Sequence, residues 1–192
     1  MKRLIPLLLA LVLMTPGFAQ KKNTTNKAKA TTTQVAKDKN TKKDKAKASD
    51  EKLNPVYDES IDPMEQLERA LEDARATGRY VICQVGGNWC PWCLRLAAMI
   101  DQDAELMELV KENFVYIHVN VPREKEKRNY EVMQRLGNPG RFGYPALVIM
   151  GDDGRPMHIQ NSSYLEEGEG YNKKKVMEFF QNWTRKAVET VK

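Results

Sequence analysis

Two cysteines two residues apart, Cys90 and Cys93, sit where a short apolar run gives way to a helix. That junction restricts the fold more than any other stretch of the 192-residue chain. The run is Tyr80-Val81-Ile82-Cys83-Gln84-Val85, short and β-branched, the pattern of a buried strand. Gly86 and Gly87 end it. Pro91 follows at the place of a first helical residue, where the missing amide hydrogen would have had no intrahelical acceptor. Cys90 is therefore expected at the N-terminal mouth of a helix, where free amides and the macrodipole favour a thiolate over a thiol. Cys93 would lie one turn in, close enough to close a small ring with Cys90.

Three readings of the pair compete. A purely structural disulfide would restrain little of the unfolded chain, because stabilisation grows with the length of the loop that is closed. A tetrahedral zinc site normally takes four nitrogen or sulfur ligands. Beyond the pair the chain offers only Cys83, His118 and His158, with no second closely spaced pair. Thiol–disulfide exchange is the reading the pattern favours. Trp89 and Trp92 flank the sulfurs and would give a partly apolar surface on which a substrate chain could dock.

The Trp89-Cys90-Pro91-Trp92-Cys93 pattern after a buried strand resembles the thioredoxin superfamily, and Gly143-Tyr144-Pro145 ahead of Ala146-Leu147-Val148-Ile149 strengthens the likeness. The resemblance runs from Asp58 to Val191, about the last two thirds of the chain. It is similar to secreted or periplasmic bacterial thioredoxin-like proteins with a Gly-x-x-Trp-Cys-x-x-Cys-x-x-Leu site. It implies a cis-proline at Pro145 facing the cysteines, with the backbone of Tyr144 presented to an extended substrate segment. One departure stands out. Thioredoxins proper carry a buried aspartate six residues before the first cysteine, and this chain has Gln84 there, so their proton-transfer scheme does not carry over.

The N-terminal third reads differently. Lys2 and Arg3, the apolar stretch Leu4 to Met14 and the small-x-small Gly17-Phe18-Ala19 form the pattern of a signal peptide over residues 1–19. The rival is an uncleaved anchor, but the apolar core falls short of the ~20 residues a bilayer requires. No cysteine follows the cleavage site, which argues against a lipoprotein. The expected localisation is periplasmic or secreted, after cleavage near Ala19.

Residues 20–52 carry eleven lysines against four acidic residues, a charge of +7, with no aromatic residue. Such a segment cannot bury enough surface to offset its ordering entropy, so a disordered Lys-rich linker is expected. Residues 1–19 add +2 from Lys2 and Arg3, so within the chain's net +5 the remaining residues 53–192 hold −4. The basic character thus belongs to the linker. Without arginine or a stacking aromatic it is a poor nucleic-acid ligand, and a spacer, resting on an anionic envelope surface, is the better reading.

Residues 53–192 are expected to form one thioredoxin-like domain. Asp62-Pro63-Met64-Glu65 predicts a helix start with Asp62 as N-cap and Glu65 closing a capping box, and Met64, Leu67, Leu71 and Ala74 share one face. Gly78 stops that helix. The strand, the cysteine helix to about Ile100 with Leu94, Ala97 and Ala98 inward, and a helical turn or two from Asp103 to Lys111 follow. Phe114 to Val121 predicts a second strand containing His118, read as a core or strand-end residue rather than a catalyst. A surface helix is expected from Arg123 to Leu136 with Tyr130, Met133 and Leu136 as its apolar stripe. A loop then leads to Pro145, the strand Ala146–Met150, a turn at Gly151–Gly154 and the strand Pro156–Gln160. Residues 161–171 read as loop, with solvated Glu166, Glu167 and Glu169, and Lys173 to Val191 as one closing helix anchored by Trp183. This order of elements fits an α/β thioredoxin fold, a three-layer α/β/α sandwich with a mixed central sheet.

The function expected is that of an exported thiol–disulfide oxidoreductase, in the reductase or isomerase direction. Cys90 would attack and Cys93 resolve, with Trp89, Trp92, Tyr144 and Pro145 as substrate contacts. No metal or cofactor is called for beyond the redox-active Cys90–Cys93 disulfide. The partners would be protein thiols and disulfides and a membrane-bound electron donor, with no nucleic acid; the oligomeric state is unknown. The alternative is a non-catalytic thioredoxin-like adaptor with a static disulfide. Cys83, on the buried strand, reads as a small hydrophobe rather than a third redox thiol.

Overall fold

A computed structural model of the chain describes residues 53–190. The expected signal peptide (1–19) and Lys-rich linker (20–52) lie outside the described residues, as do the last two residues. Four strands form the central sheet: β1 (Tyr80–Gly86), β2 (Phe114–Asn120), β3 (Ala146–Met150) and β4 (Pro156–Asn161). Their spatial order is β2-β1-β3-β4, with β1 parallel to β2 and antiparallel to β3, and β3 antiparallel to β4. The sheet is mixed, as expected, and helices cover both faces.

Alternation along β1 decides what each face holds. Val81, Cys83 and Val85 point to one side, against Leu67, Leu71 and Ala74 of α1 (Pro63–Thr77) and Val132 and Met133 of α4 (Tyr130–Arg135). Tyr80 and Ile82 point to the other side, against Leu96 and Ile100 of α2 (Pro91–Gln102), Leu106 and Val110 of α3 (Ala104–Asn113), and Phe179 and Phe180 of α5 (Lys173–Asn182). All seven residues of β1 are buried, which is why its sequence reads as a continuous apolar run. The one polar member, Gln84, is forced by the same alternation onto the face roofed by α2.

Helix α1 starts as expected. The Asp62 carboxylate accepts from the amides of Met64 and Glu65, both at 2.9 Å, and Gly78 ends the helix in the left-handed region at φ 67°. The capping box is not completed, however. Glu65 turns away to pair with Arg69 at 2.8 Å, one helical turn on, where the guanidinium competes better than a backbone amide.

Three further expectations need correction. Arg123 to Leu136 is not one helix: a 3₁₀ turn at Lys125–Lys127 precedes the short α4, because the Asn129 side chain caps α4 at Val132 N, 3.1 Å away. Tyr130, at that helix start, is 67% exposed, and Val132 takes its place in the buried stripe with Met133 and Leu136. Residues 161–171 are not all loop; they hold a 3₁₀ turn at Ser162–Leu165 and a two-stranded ribbon, β5 (Glu166–Glu167) with β6 (Gly170–Tyr171). The closing helix is broken into α5 and α6 (Arg185–Glu189). Trp183 ends α5 by stacking on His158 at 4.7 Å between ring centres, and the Thr184 hydroxyl starts α6 by accepting from Ala187 N at 3.2 Å.

Candidate active site

The chain turns from β1 into α2 through Gly86-Gly87-Asn88-Trp89, and three residues of this turn have a packing task. Gly86 is required by close approach: a Cβ there would stand 2.4 Å from Cys93 Sγ. The Trp89 indole N–H donates to the carbonyl of Val121, 2.8 Å away, tying the turn to the end of β2. Asn88 points the other way and clamps the segment before α1. Its Oδ1 accepts from the amides of Val56 and Tyr57, each at 3.0 Å, and its Nδ2 donates to the Tyr57 carbonyl at 2.8 Å and to Glu59 at 3.2 Å.

Cys90 then occupies the N-cap of α2, with Pro91 at the first helical position. Its sulfur accepts the Cys93 amide at 3.2 Å, the place where an N-cap oxygen would ordinarily sit. The two cysteines are joined as a disulfide with their Cα atoms 5.3 Å apart, inside the usual span for such a bond. They differ in access: Cys90 keeps 5% of its surface exposed and Cys93 none. The Tyr144–Pro145 peptide is cis, and the Tyr144 carbonyl oxygen lies 3.6 Å from Cys90 Sγ.

The two tryptophans part company. Trp89, 36% exposed, meets Tyr144 edge to face at 5.6 Å, so Trp89, Tyr144 and Cys90 form one contiguous surface. Trp92 is half-buried on the opposite rim. The Arg95 guanidinium lies 5.2 Å over its ring and Tyr171 meets it edge to face at 5.5 Å, so part of its surface is taken up within the domain. Pro145 is buried behind Tyr144.

Beneath Cys93 lies a polar network that sequence reasoning did not find. Gln84, fully buried, donates through Nε2 to the Cys93 carbonyl at 3.0 Å and to the Tyr57 hydroxyl at 2.6 Å, and accepts from the Tyr116 hydroxyl at 2.6 Å. Burial raises the pKa of both phenols above the ordinary tyrosine value, so both stay protonated. His118 packs edge to face on Tyr57 and Tyr116, at 5.2 and 5.4 Å. Burial lowers its pKa, with Asp101 pulling the other way, and its Nε2 has no partner among the described residues. The ring is therefore neutral near pH 7. Cys83, a free thiol, belongs to the α1 side of the sheet and is separated from the disulfide by the strand itself. Burial pushes its thiol up, which leaves it unreactive. Among the described residues no three His, Cys, Asp or Glu side chains converge as metal ligands would.

The family described as Thioredoxin-like matches residues 62–151, from the cap of α1 to the end of β3. The fold is that of thioredoxin. A solved structure, the disulphide isomerase from Xylella fastidiosa Temecula1, is similar to it at 26% sequence identity and a TM-score of 0.59, covering 68% of this chain and 97% of that one. A thioredoxin-fold protein from Helicobacter pylori aligns at 18% identity and a TM-score of 0.40, over 59% of this chain and 74% of that one. Among curated proteins none matches. Within this fold the cysteine pair occupies the end of a central strand and the start of a helix, the edge at which ligands gather in open α/β sheets.

The Asn88 clamp yields a test of how the site is held. Asn88→Ala removes four hydrogen bonds, three of them to the backbone of Val56 and Tyr57. At about 1 kcal/mol for each partly buried bond, the variant is expected to lose about 2–3 kcal/mol. Calorimetry should show Tm falling by roughly 10 °C. An unchanged Tm would mean that Tyr57 is held by its ring alone.

Proposed function

We propose that this chain is an exported thiol–disulfide oxidoreductase that exchanges disulfides with protein substrates, Cys90 attacking and Cys93 resolving. The observation that carries the reading is the setting of Cys90. It is the member of the pair with solvent access, and its sulfur receives a helix N-terminal amide, an arrangement that lowers thiol pKa and holds a thiolate ready.

In the reduced protein, the Cys90 thiolate attacks one sulfur of a substrate disulfide. A Cys90–substrate bond forms, the substrate S–S bond breaks, and the first substrate sulfur leaves as a thiolate and takes a proton. Cys93 then attacks Cys90 Sγ, closes the intramolecular disulfide and releases the second substrate thiol. Two electrons have passed to the substrate. A membrane-bound dithiol donor would return them, which is why a reductase or isomerase direction is proposed; the likeness to the Xylella disulphide isomerase supports it. Tyr144, whose carbonyl borders Cys90, and Trp89 beside it would receive the substrate segment, with Trp92 and the buried Pro145 shaping the rims. Export is supported by the charged–apolar–small pattern of residues 1–19, and residues 20–52 would serve as the spacer.

The test is a pH titration of the reduced full chain with an alkylating reagent. One thiol is expected to react with a midpoint well below the free-cysteine value of ~8.5, while Cys83 stays silent in the folded protein. A midpoint at or above that value would favour the non-catalytic adaptor with a static disulfide.

A further inference from the structure

The side chain beneath Cys93 is a carboxamide, which neither takes nor gives a proton in exchange chemistry, so the polar group that serves this sulfur must be another. The orientation of Gln84 follows from its neighbours. The Cys93 carbonyl, 3.0 Å away, can only accept, so the atom facing it is the amide nitrogen. The same nitrogen lies 2.6 Å from Tyr57 Oη and spends its second N–H there. The carboxamide oxygen is occupied by the Tyr116 O–H at 2.6 Å. Tyr57 Oη is thus an acceptor toward Gln84, and its own proton has no acceptor among the hydrogen bonds of the described residues.

A buried hydroxyl proton left without an acceptor is costly, so its surroundings matter. A Cβ on Gly86 would stand 2.9 Å from Tyr57 Oη and 2.4 Å from Cys93 Sγ, so both atoms border one small space. Tyr57 also packs in one buried cluster with Cys90, Cys93 and Leu94. Its backbone is pinned there by Asn88 of the cysteine loop. Resting on the oxidoreductase reading above, we propose that Tyr57 donates a hydrogen bond to the Cys93 sulfur once the disulfide opens, readying it as the resolving thiolate, with Gln84 holding the hydroxyl in place.

The chemistry balances without a buried base. In the mixed disulfide, Cys93 gives up its proton, which ends by way of solvent on the departing substrate sulfur. The Cys93 thiolate attacks Cys90 Sγ, the Cys90–Cys93 bond forms and the Cys90–substrate bond breaks. Tyr57 keeps its proton throughout, since burial raises its pKa. The other titratable or charged groups around this pocket are Cys90 at the N-cap of α2, Tyr116 and His118 on β2, Tyr144 ahead of β3, Tyr171 on β6, and the outlying Asp101, Arg95 and Arg128. All of them remain when only the Tyr57 hydroxyl is removed, so comparison with that variant isolates its effect.

The reduced full chain is mixed with one equivalent of a symmetrical nitroaryl disulfide, whose released thiolate is coloured. The first equivalent of colour reports attack by Cys90 and the second reports resolution by Cys93. Tyr57→Phe is expected to leave the first phase within about twofold. The second should slow about tenfold at pH 7, with its pH midpoint raised by about one unit, the size of one lost hydrogen bond to an ion. Equal second phases in rate and midpoint would reduce Tyr57 to a packing residue and overturn the proposal. A wild-type chain with no second phase would overturn the oxidoreductase reading itself, a distinguishable result. Should Tyr57→Phe fail to fold, a ring-fluorinated tyrosine at position 57 decides the matter: a more acidic phenol of nearly the same shape moves the midpoint down if it donates to Cys93 and leaves it in place if it does not.

Discussion

Cys93→Ala is expected to turn the protein into a covalent trap, while Cys90→Ala is expected to lose exchange altogether. The asymmetry follows from geometry. The stabilising donor to Cys90 Sγ is the backbone amide of residue 93, which the alanine variant keeps, so attack on a substrate disulfide should proceed. What disappears is the second sulfur that would release the product. Expressed in the compartment proposed above, Cys93→Ala should accumulate reducible high-mass species as the predominant form, and these should collapse to the free chain on treatment with excess dithiol. Cys90→Ala leaves a sulfur with no exposed surface, within the first turn of the helix rather than at its mouth, and should give few such species and no reduction of insulin disulfides above the reagent background. Mass spectrometry of the trapped partners would name substrates and electron donor together. Equal trapping by both variants would refute the division of roles. No trapping by either, with wild type permanently oxidised, would favour the adaptor.

Much of this arrangement was legible in the chain because local chemistry and global fold agree at the cysteine loop. Strand, double glycine, N-cap cysteine and Pro91 each point to the same junction, and the mixed sheet follows from the connections around it. Legibility fails where a side chain acts at long range. Tyr57 precedes the first helix in a stretch with no periodicity, and nothing nearby tells that its ring passes under Cys93. Asn88 reads as an ordinary turn residue, although its partners lie 31 and 32 positions away. Gln84 was visible as a departure from the thioredoxin pattern, but its meaning depends on Tyr57, before the first helix, and Tyr116, on β2. The broken helices failed for a related reason. Asn129 and Thr184 are capping residues inside runs whose apolar spacing continues across them, and a cap that satisfies free amides outweighs weak periodicity.

Gly86→Ala is expected to damage both stability and chemistry from a single methyl group. The position is in the central strand, buried on both faces, with α2 directly above. The added carbon would meet Cys93 Sγ at 2.4 Å, Tyr57 Oη at 2.9 Å and Cys93 Cβ at 3.3 Å. None of these is the free end of a flexible chain: Cys93 is fixed in the first turn of α2, and Tyr57 is held by Gln84 and Asn88. Relief must come from moving the helix start or expelling the tyrosine. Overpacking of this kind costs about 1–3 kcal/mol, and so rigid a site belongs at the upper end. Thermal unfolding should therefore shift down by roughly 10 °C. The kinetic signature is the more telling. Attack by Cys90 depends on the helix mouth and should persist, whereas resolution depends on the space shared by Cys93 and Tyr57 and should slow by at least tenfold, the scale of losing one hydrogen bond to an ion. A Gly86→Ala protein that unfolds at the wild-type temperature and resolves mixed disulfides at the wild-type rate would show that Cys93 and Tyr57 are not held against the strand as described.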